Sequence, residues 1–465
     1  MARAAASYVA AHRFGLGAKP GEIAAIGGDA RGWLANQLAQ PNAFTVAGAA
    51  LPTRAEAAAA FQGFQQRRRD LQAEAQARVA AGEAAPEGQG KRREIAEIPQ
   101  REGAARLTQA IATEHAFAER LALFWANHFT MAATKVTTIP YVGLFEREAV
   151  RANLNGSFAA LLLATARHPG MLLYLDQAQS AGPNSELGRR RELGLNENLA
   201  REILELHTLG AQGGYTQADV TEFARALTGW TLAAPRLQRF APNARPGEFL
   251  FAAVLHEPGA RTVLGKRYPE GGEDQARAIL LDLARHPATG RRIAHKLARH
   301  FIADEPPASA VASLEGVFRR TEGDLPSLHR AVLELDAAWA PEPHKFKSPY
   351  EFIISAMRLL GLEGGDMRAA ALGLELLGQP LFRAPSPEGW PDDAASWASA
   401  DGLMKRLEWA EALSRRVGVR ARPEDLAAEA LGPLLQDGTR QSIKRAESAA
   451  QGLALLLLSP EFQRR

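Results

Sequence analysis

Apolar residues along this chain recur almost everywhere at a helical spacing, and runs that alternate with period two are nearly absent. That pattern excludes most sheet architectures, because a half-buried strand needs alternation. In the segment after Ala116, Leu121, Phe124 and His128 fall within about 40° of Phe117 at roughly 100° per residue. One helix face there is aromatic and buried, with His128 at its centre and Asn127 to one side. The most frequent residues, alanine, leucine, arginine and glutamate, are strong helix formers. The nearest strand candidate is Lys135–Ile139 (KVTTI), which is very short. The expectation is an all-α fold, a large multi-helical assembly with long ordered loops and very little β structure.

A chain of 465 residues, 46% apolar, can bury a substantial core. Its formal charge of +3 is close to balance, and acids and bases are mixed along the chain, which is not the footprint of nucleic-acid binding. There are no cysteines, so disulfides, thiolate nucleophiles, zinc–thiolate sites and cysteine-held iron–sulfur clusters are excluded. The start, MARAAASYVAAHRFGLGAKP, lacks the apolar core and cleavage signature of an export signal. No stretch offers 18 clean apolar residues; Phe158–Leu175 comes closest and is interrupted by Arg167, His168 and Pro169. The expectation is a soluble cytoplasmic protein with no transmembrane segment, or an exported one if the true start lies upstream.

A single helical domain over 1–465 is expected. Within it, residues 1–130 form an N-terminal group of helices with a flexible loop near 82–92, 131–345 a central region, and 346–465 the C-terminal helices. Ala104–Phe129 reads as one long helix. His168-Pro169 and His286-Pro287 each separate two helical stretches and suggest similar corners. Between Pro380 and Trp397 the chain is dense in proline and tryptophan. Proline fixes the backbone and tryptophan supplies apolar area, so this loop is expected to pack over helices, as a structural lid or as one wall of a pocket.

The most distinctive segment is Asn196–Trp230, NENLAREILELHTLGAQGGYTQADVTEFARALTGW. It reads as a helix, a glycine turn, a capped helix start and a second helix. Thr216 with Asp219 has the spacing of a capping box, and Arg201 with Glu205 that of an i,i+4 ion pair. Glu202 lies at the edge of the apolar stripe, where a carboxylate needs a partner or a proton. His207 lies on the inner side, where a histidine is either a hydrogen-bonded core residue or an acid/base group. The candidate catalytic residues are Glu202, His207 and His128; the candidate ligand-binding residues are Asn127, Asn196, Asn198, Arg201, His256 and Trp390. No metal-binding motif is present, nor any nucleotide, haem or iron–sulfur motif, nor a nucleophile elbow.

Several blocks taken in order resemble the bacterial family DUF1800. They are Asn196–Glu202, Leu206–Gly210, Gly214–Val220 and Ala224–Trp230, with Asn127-His128-Phe129-Thr130, Met171–Asp176, Lys347-Ser348-Pro349, and Gly378–Phe382 followed by Gly389-Trp390-Pro391. The resemblance runs from His12–Gly17 nearly to the last residue. The chain departs from the family pattern at Glu257-Pro258-Gly259 and just before Asn196. The family name implies no reaction. Two functions therefore stand open: a polar small-ligand or hydrolase-like site around Glu202, His207 and His128, or a non-enzymatic scaffold or accessory protein that binds another protein.

Overall fold

Helix starts in this chain are fixed by side chains that stand in for missing backbone partners. Thr53, Ser157, Ser185, Thr216, Asp324, Ser348 and Ser448 each accept a hydrogen bond from the backbone N–H three residues on. Thr53/Glu56, Thr216/Asp219 and Ser348/Glu351 are full capping boxes. The two His-Pro corners share one device. His168 Nδ1 accepts from Gly170 N at 3.1 Å and His286 Nδ1 from Ala288 N at 3.2 Å, while the proline fills the first helical position.

The computed structural model describes residues 2–46, 51–81, 93–233, 237, 240–365, 367–417 and 422–465. The loop expected near 82–92 lies outside the described residues. With 63% of the chain helical, the fold is all-α. Two antiparallel two-stranded ribbons interrupt it, Trp230–Leu232 with Phe249–Phe251 and Arg261–Val263 with Lys266–Tyr268. The strand candidate Lys135–Ile139 is instead a turn leading into a short 3-10 helix.

One apolar core gathers Phe14, Phe117, Trp125, Phe158, Phe223 and Phe301. A second joins Leu107 and Ile111 to Phe352, Leu374, Leu453 and Phe462. Buried arginines tie the N-terminal segment between them. Arg120 Nε donates to Gly15 O at 2.7 Å, and Arg358 Nε donates to Gly17 O at 2.7 Å. Gly17 sits at φ +98°, and a Cβ there would lie 2.6 Å from Ser355 Cβ, so only glycine fits. The single long helix expected over Ala104–Phe129 is two helices, Arg93–Ala112 and Ala116–His128. Arg358 Nη1 reaches the Ala110, Ile111 and Thr113 carbonyls, which satisfies the acceptors freed at that break. The C-terminal part also holds helices at Pro423–Leu431 and Asp437–Lys444.

Candidate functional site

The helix Pro287–Phe301 carries no acid, and its bases lie on one side. Ile293, Ala294, Leu297, Ala298 and Phe301 are buried in the core. Arg292, His295, Lys296, Arg299 and His300 occupy the opposite stripe, at the i, i+3, i+4 spacing of one helix face. That stripe forms a wall of a cleft of about 580 Å³. The facing walls are the Ala116–His128 helix, with Arg120, Phe124, Asn127 and His128, and the proline–tryptophan loop, with Pro385, Glu388, Gly389, Trp390 and Asp392.

Most charges in the cleft are neutralised within the protein. Arg106 pairs with Glu146 at 3.3 Å, Arg299 with Asp393 at 3.6 Å, and Arg120 with Glu351. His300 Nδ1 donates to Asp392 Oδ2 at 2.9 Å. Arg292 and Lys296 are different. Arg292 donates through Nε to Leu206 O at 3.2 Å, and among the described residues neither side chain forms an ion pair with a carboxylate. Glu388 and Glu205 act on Arg292, and Asp392 and Glu388 on Lys296, through their charge and without an ion pair. Burial, and then the charge of Arg292, hold the Lys296 ammonium down at about 8. Gly210, at φ +89°, leaves room for the Arg292 guanidinium, which lies 3.1 Å from where a Cβ would stand.

The Asn127 side-chain amide pins the loop to the Ala116–His128 helix. Asn127 Nδ2 donates to Trp390 O at 2.9 Å, and Trp390 N donates to Asn127 Oδ1 at 2.8 Å. Gly389, at φ +93°, makes this approach possible, since a Cβ there would lie 2.6 Å from both Asn127 O and Thr130 Oγ1. Of the candidates named from sequence, Asn127, His128 and Trp390 line the cleft.

His207 stands behind His128. The helix opened by Asn198–Glu202 widens into a π-helical turn over Ile203–His207, a distortion that places an extra residue in the turn. The turn ends where Thr208 Oγ1 donates to Ile203 O at 2.6 Å. His128 Nε2 donates to the exposed carbonyl of His207 at 3.1 Å, and the two rings lie 6.3 Å apart. Both histidines are 2% exposed. Among the described residues, His128 Nδ1 and His207 Nε2 have no hydrogen-bond partner. Burial, and then the charge of Lys296, keep both imidazoles neutral: His207 is pushed down to about 3 and His128 well below the ordinary histidine value. They serve as neutral donors and acceptors at physiological pH.

Glu202 is half-buried beside Glu205 and within range of the charge of Glu388, but it is not among the residues that line the cleft. Burial, and then repulsion from Glu205, raise its carboxyl above the usual carboxylate range. The remaining candidates lie elsewhere. Asn196 Oδ1 accepts from Asn198 N at 2.9 Å and closes the turn that starts the helix. Arg201 does not pair with Glu205. It reaches Glu197 at 3.1 Å and Gln217 at 2.9 Å. Glu197 also accepts from Thr221 Oγ1 at 2.6 Å and so staples the two helices of the segment, while Glu205 accepts from the Tyr215 hydroxyl at 3.2 Å. His256 is held by Thr228 O at 2.8 Å beside the first ribbon. Among the described residues no group of three or more His, Asp or Glu side chains could hold a metal ion.

Sequence reasoning passed over Arg292 and Lys296. The signal was present: 15 helical residues without an acid, in a chain where charges are otherwise mixed. Leu372, Leu376, Leu403, Met404 and Leu407 are exposed, and none of them lines the cleft. No helix among the described residues is long and apolar enough to cross a membrane.

The family model described as "Protein of unknown function (DUF1800)" matches residues 9–464, so the chain belongs to that family. No curated protein and no solved structure matches the chain.

Proposed function

We propose that the protein binds a small organic anion in the cleft and acts on it by acid/base chemistry. The observation that carries this reading is the pair Arg292 and Lys296. These are two cations one helical turn apart, facing an open volume, with no carboxylate of the protein in contact. Native structures pair buried charges, because an uncompensated charge away from water is costly. A cleft whose two cations are met only at a distance, by Glu388, Glu205 and Asp392, leaves room between them for an anion that arrives from solution. The cleft volume suits a small metabolite. Trp390 supplies an apolar wall, and His128 Nδ1 a lone pair that the fold leaves unused.

Proton transfer falls to Glu202. Burial and Glu205 raise its carboxyl, and it lies within range of the charge of Glu388, which lines the cleft; a raised carboxyl is better suited to proton transfer than an ordinary one. Hydrolysis of an anionic substrate is the reaction class that fits such a group. His128, kept neutral, orients the ligand from the cleft wall, and the His207 carbonyl holds the His128 ring in place.

Thermal unfolding in the presence of acetate, pyruvate, succinate, citrate and phosphate, against sodium chloride of equal ionic strength, tests the binding step. At least one anion is expected to raise the unfolding midpoint of the wild type and to leave the Arg292→Met/Lys296→Met double variant unmoved. Equal responses from the two proteins, or no response from either, would remove the proposal.

A further inference from the structure

We infer that Lys296 is a nucleophilic amine that forms an imine with the carbonyl group of a 2-oxo acid whose carboxylate is held by Arg292. This rests on the anion-binding reading of the cleft and adds to it the ligand class and a covalent step.

The lysines of the chain differ sharply in what they touch. Lys19, Lys135, Lys266, Lys345 and Lys405 each form an ion pair with a carboxylate. Lys347 is 1% exposed and donates to Ser355 Oγ at 3.1 Å, sealed from any cleft. Lys296 opens on the cleft and, among the described residues, has neither an ion pair nor a hydrogen bond. An ammonium spent on a structural contact cannot act as a nucleophile; this one is free to do so.

Its surroundings favour the neutral amine. Burial and the guanidinium one turn earlier bring its protonation equilibrium to about 8, so a substantial fraction carries a lone pair at mildly alkaline pH. Desolvation and a neighbouring cation are the two means by which a lysine becomes a nucleophile toward carbonyl compounds. Arg292 fixes the kind of carbonyl compound. Residues four apart on a helix are about 5–6 Å apart at their Cβ atoms. A 2-oxo acid carries its carbonyl carbon directly on the carboxylate. With the carboxylate on the rigid guanidinium fork, that carbon falls within reach of the flexible lysine amine. A simple carboxylate would fill the cation pair but offer no electrophile.

The step balances without an oxidant or a reductant. The amine lone pair attacks the carbonyl carbon, a C–N bond forms, and the C=O electron pair moves to oxygen. That oxygen then leaves as water with the two protons of the neutral amine, and C=N replaces C=O. His300, one turn further along the same face, also lines the cleft and stays neutral, burial having pushed the ring down to about 4.

The test uses the full chain with pyruvate and sodium cyanoborohydride, followed by digestion and mass spectrometry. The expected result is one reduced pyruvate on Lys296, in roughly tenfold excess over any other lysine, with a labelling rate that rises from pH 6 to pH 8 and then levels. Lys296→Arg, which keeps the cation, is expected to lose the adduct and keep stabilisation by anions. Adducts spread over exposed lysines such as Lys266, with no excess at Lys296, would overturn the inference. If anions still stabilise the protein in that case, the binding reading survives and the covalent step alone fails. If no anion stabilises it, both fail.

Discussion

Lys296 should cost the empty protein stability. Its ammonium is favoured less in the fold than in the unfolded chain, where a lysine titrates near 10.4. Below about pH 8 both states carry the proton and the full penalty is present. Between about 8 and about 10.4 the unfolded state binds the extra proton, so stability rises with pH across that window. Lys296→Met is therefore expected to stabilise the protein by about 1–2 kcal/mol at pH 7, a figure reduced for partial solvation of the cleft. The gain should shrink toward pH 10; urea unfolding of both proteins at the two pH values measures it. Arg151 is the opposite case. Its guanidinium takes both oxygens of Glu119 and one of Glu146, all buried. Arg151→Met strands Glu119, leaves Glu146 with Arg106 alone, and is expected to cost about 3–5 kcal/mol in the same assay. At this scale the sequence was partly legible. The position of His128 on a buried aromatic stripe followed from a 100° step, and it is found there. The partner of Arg201 did not follow. The π-helical turn begins one residue after Glu202 and carries Glu205 toward Tyr215, which leaves Arg201 to the carboxylate four residues before it, Glu197.

Elements announce their starts better than their interruptions. Thr216 and Asp219 form the capping box their spacing implied. Asp219 Oδ1 also accepts from Leu264 N at 2.6 Å and so ties the helix to the second ribbon. Thr216→Ala is expected to lower stability by about 1 kcal/mol, and Asp219→Ala by more, because it removes a cap and a tertiary bond together. Thermal unfolding orders the two. The break between Ala112 and Ala116 is silent in sequence, since Thr113, Glu114 and His115 are not helix breakers. It exists because a buried arginine some 245 residues away accommodates the carbonyls that the break releases. The basic stripe of Pro287–Phe301 could have been read as a site from its lack of acids, but an exposed basic face would look the same. What separates the two readings is the loop that roofs it, and that loop depends on Gly389. Gly389→Ala adds a Cβ that meets Asn127 and Thr130 in a backbone region that disfavours side chains. The variant is expected to fold, to loosen the Trp390 loop and to lose most of the anion-induced rise in unfolding midpoint.

Across the whole molecule, the cleft joins residues from Leu16 to Asp393, so its assembly depends on most of the chain. The same region holds carboxylates that the fold keeps ionised. Asp392 is held well below the usual range against burial by His300 and then Lys345, and Glu351 is held low by Arg465 and Arg120. On another part of the fold, against burial, the His168 ring 3.7 Å away and the Arg54 guanidinium bring Glu148 down to about 2. Each has a folded value below its unfolded one. Their contribution is complete above the unfolded carboxylate range near 4 and is lost as pH falls through the folded values. Stability should therefore drop steeply from about pH 4 to about pH 2, and Glu148→Gln should flatten the lower part of that slope; circular dichroism during acid titration follows both. The all-α class was legible because periodicity alone determines it. The cleft was not, because its walls come from segments more than 250 residues apart in the chain, joined by contacts such as Asn127 to Trp390. The central claim is that Arg292 and Lys296 await an anion. A crystal soaked in sodium bromide and measured at the bromine absorption edge tests it most directly. The account predicts an anomalous peak between the Arg292 guanidinium and the Lys296 amine that is absent from Arg292→Met/Lys296→Met crystals. Bromide bound only at surface arginines, with the cleft empty, would contradict it.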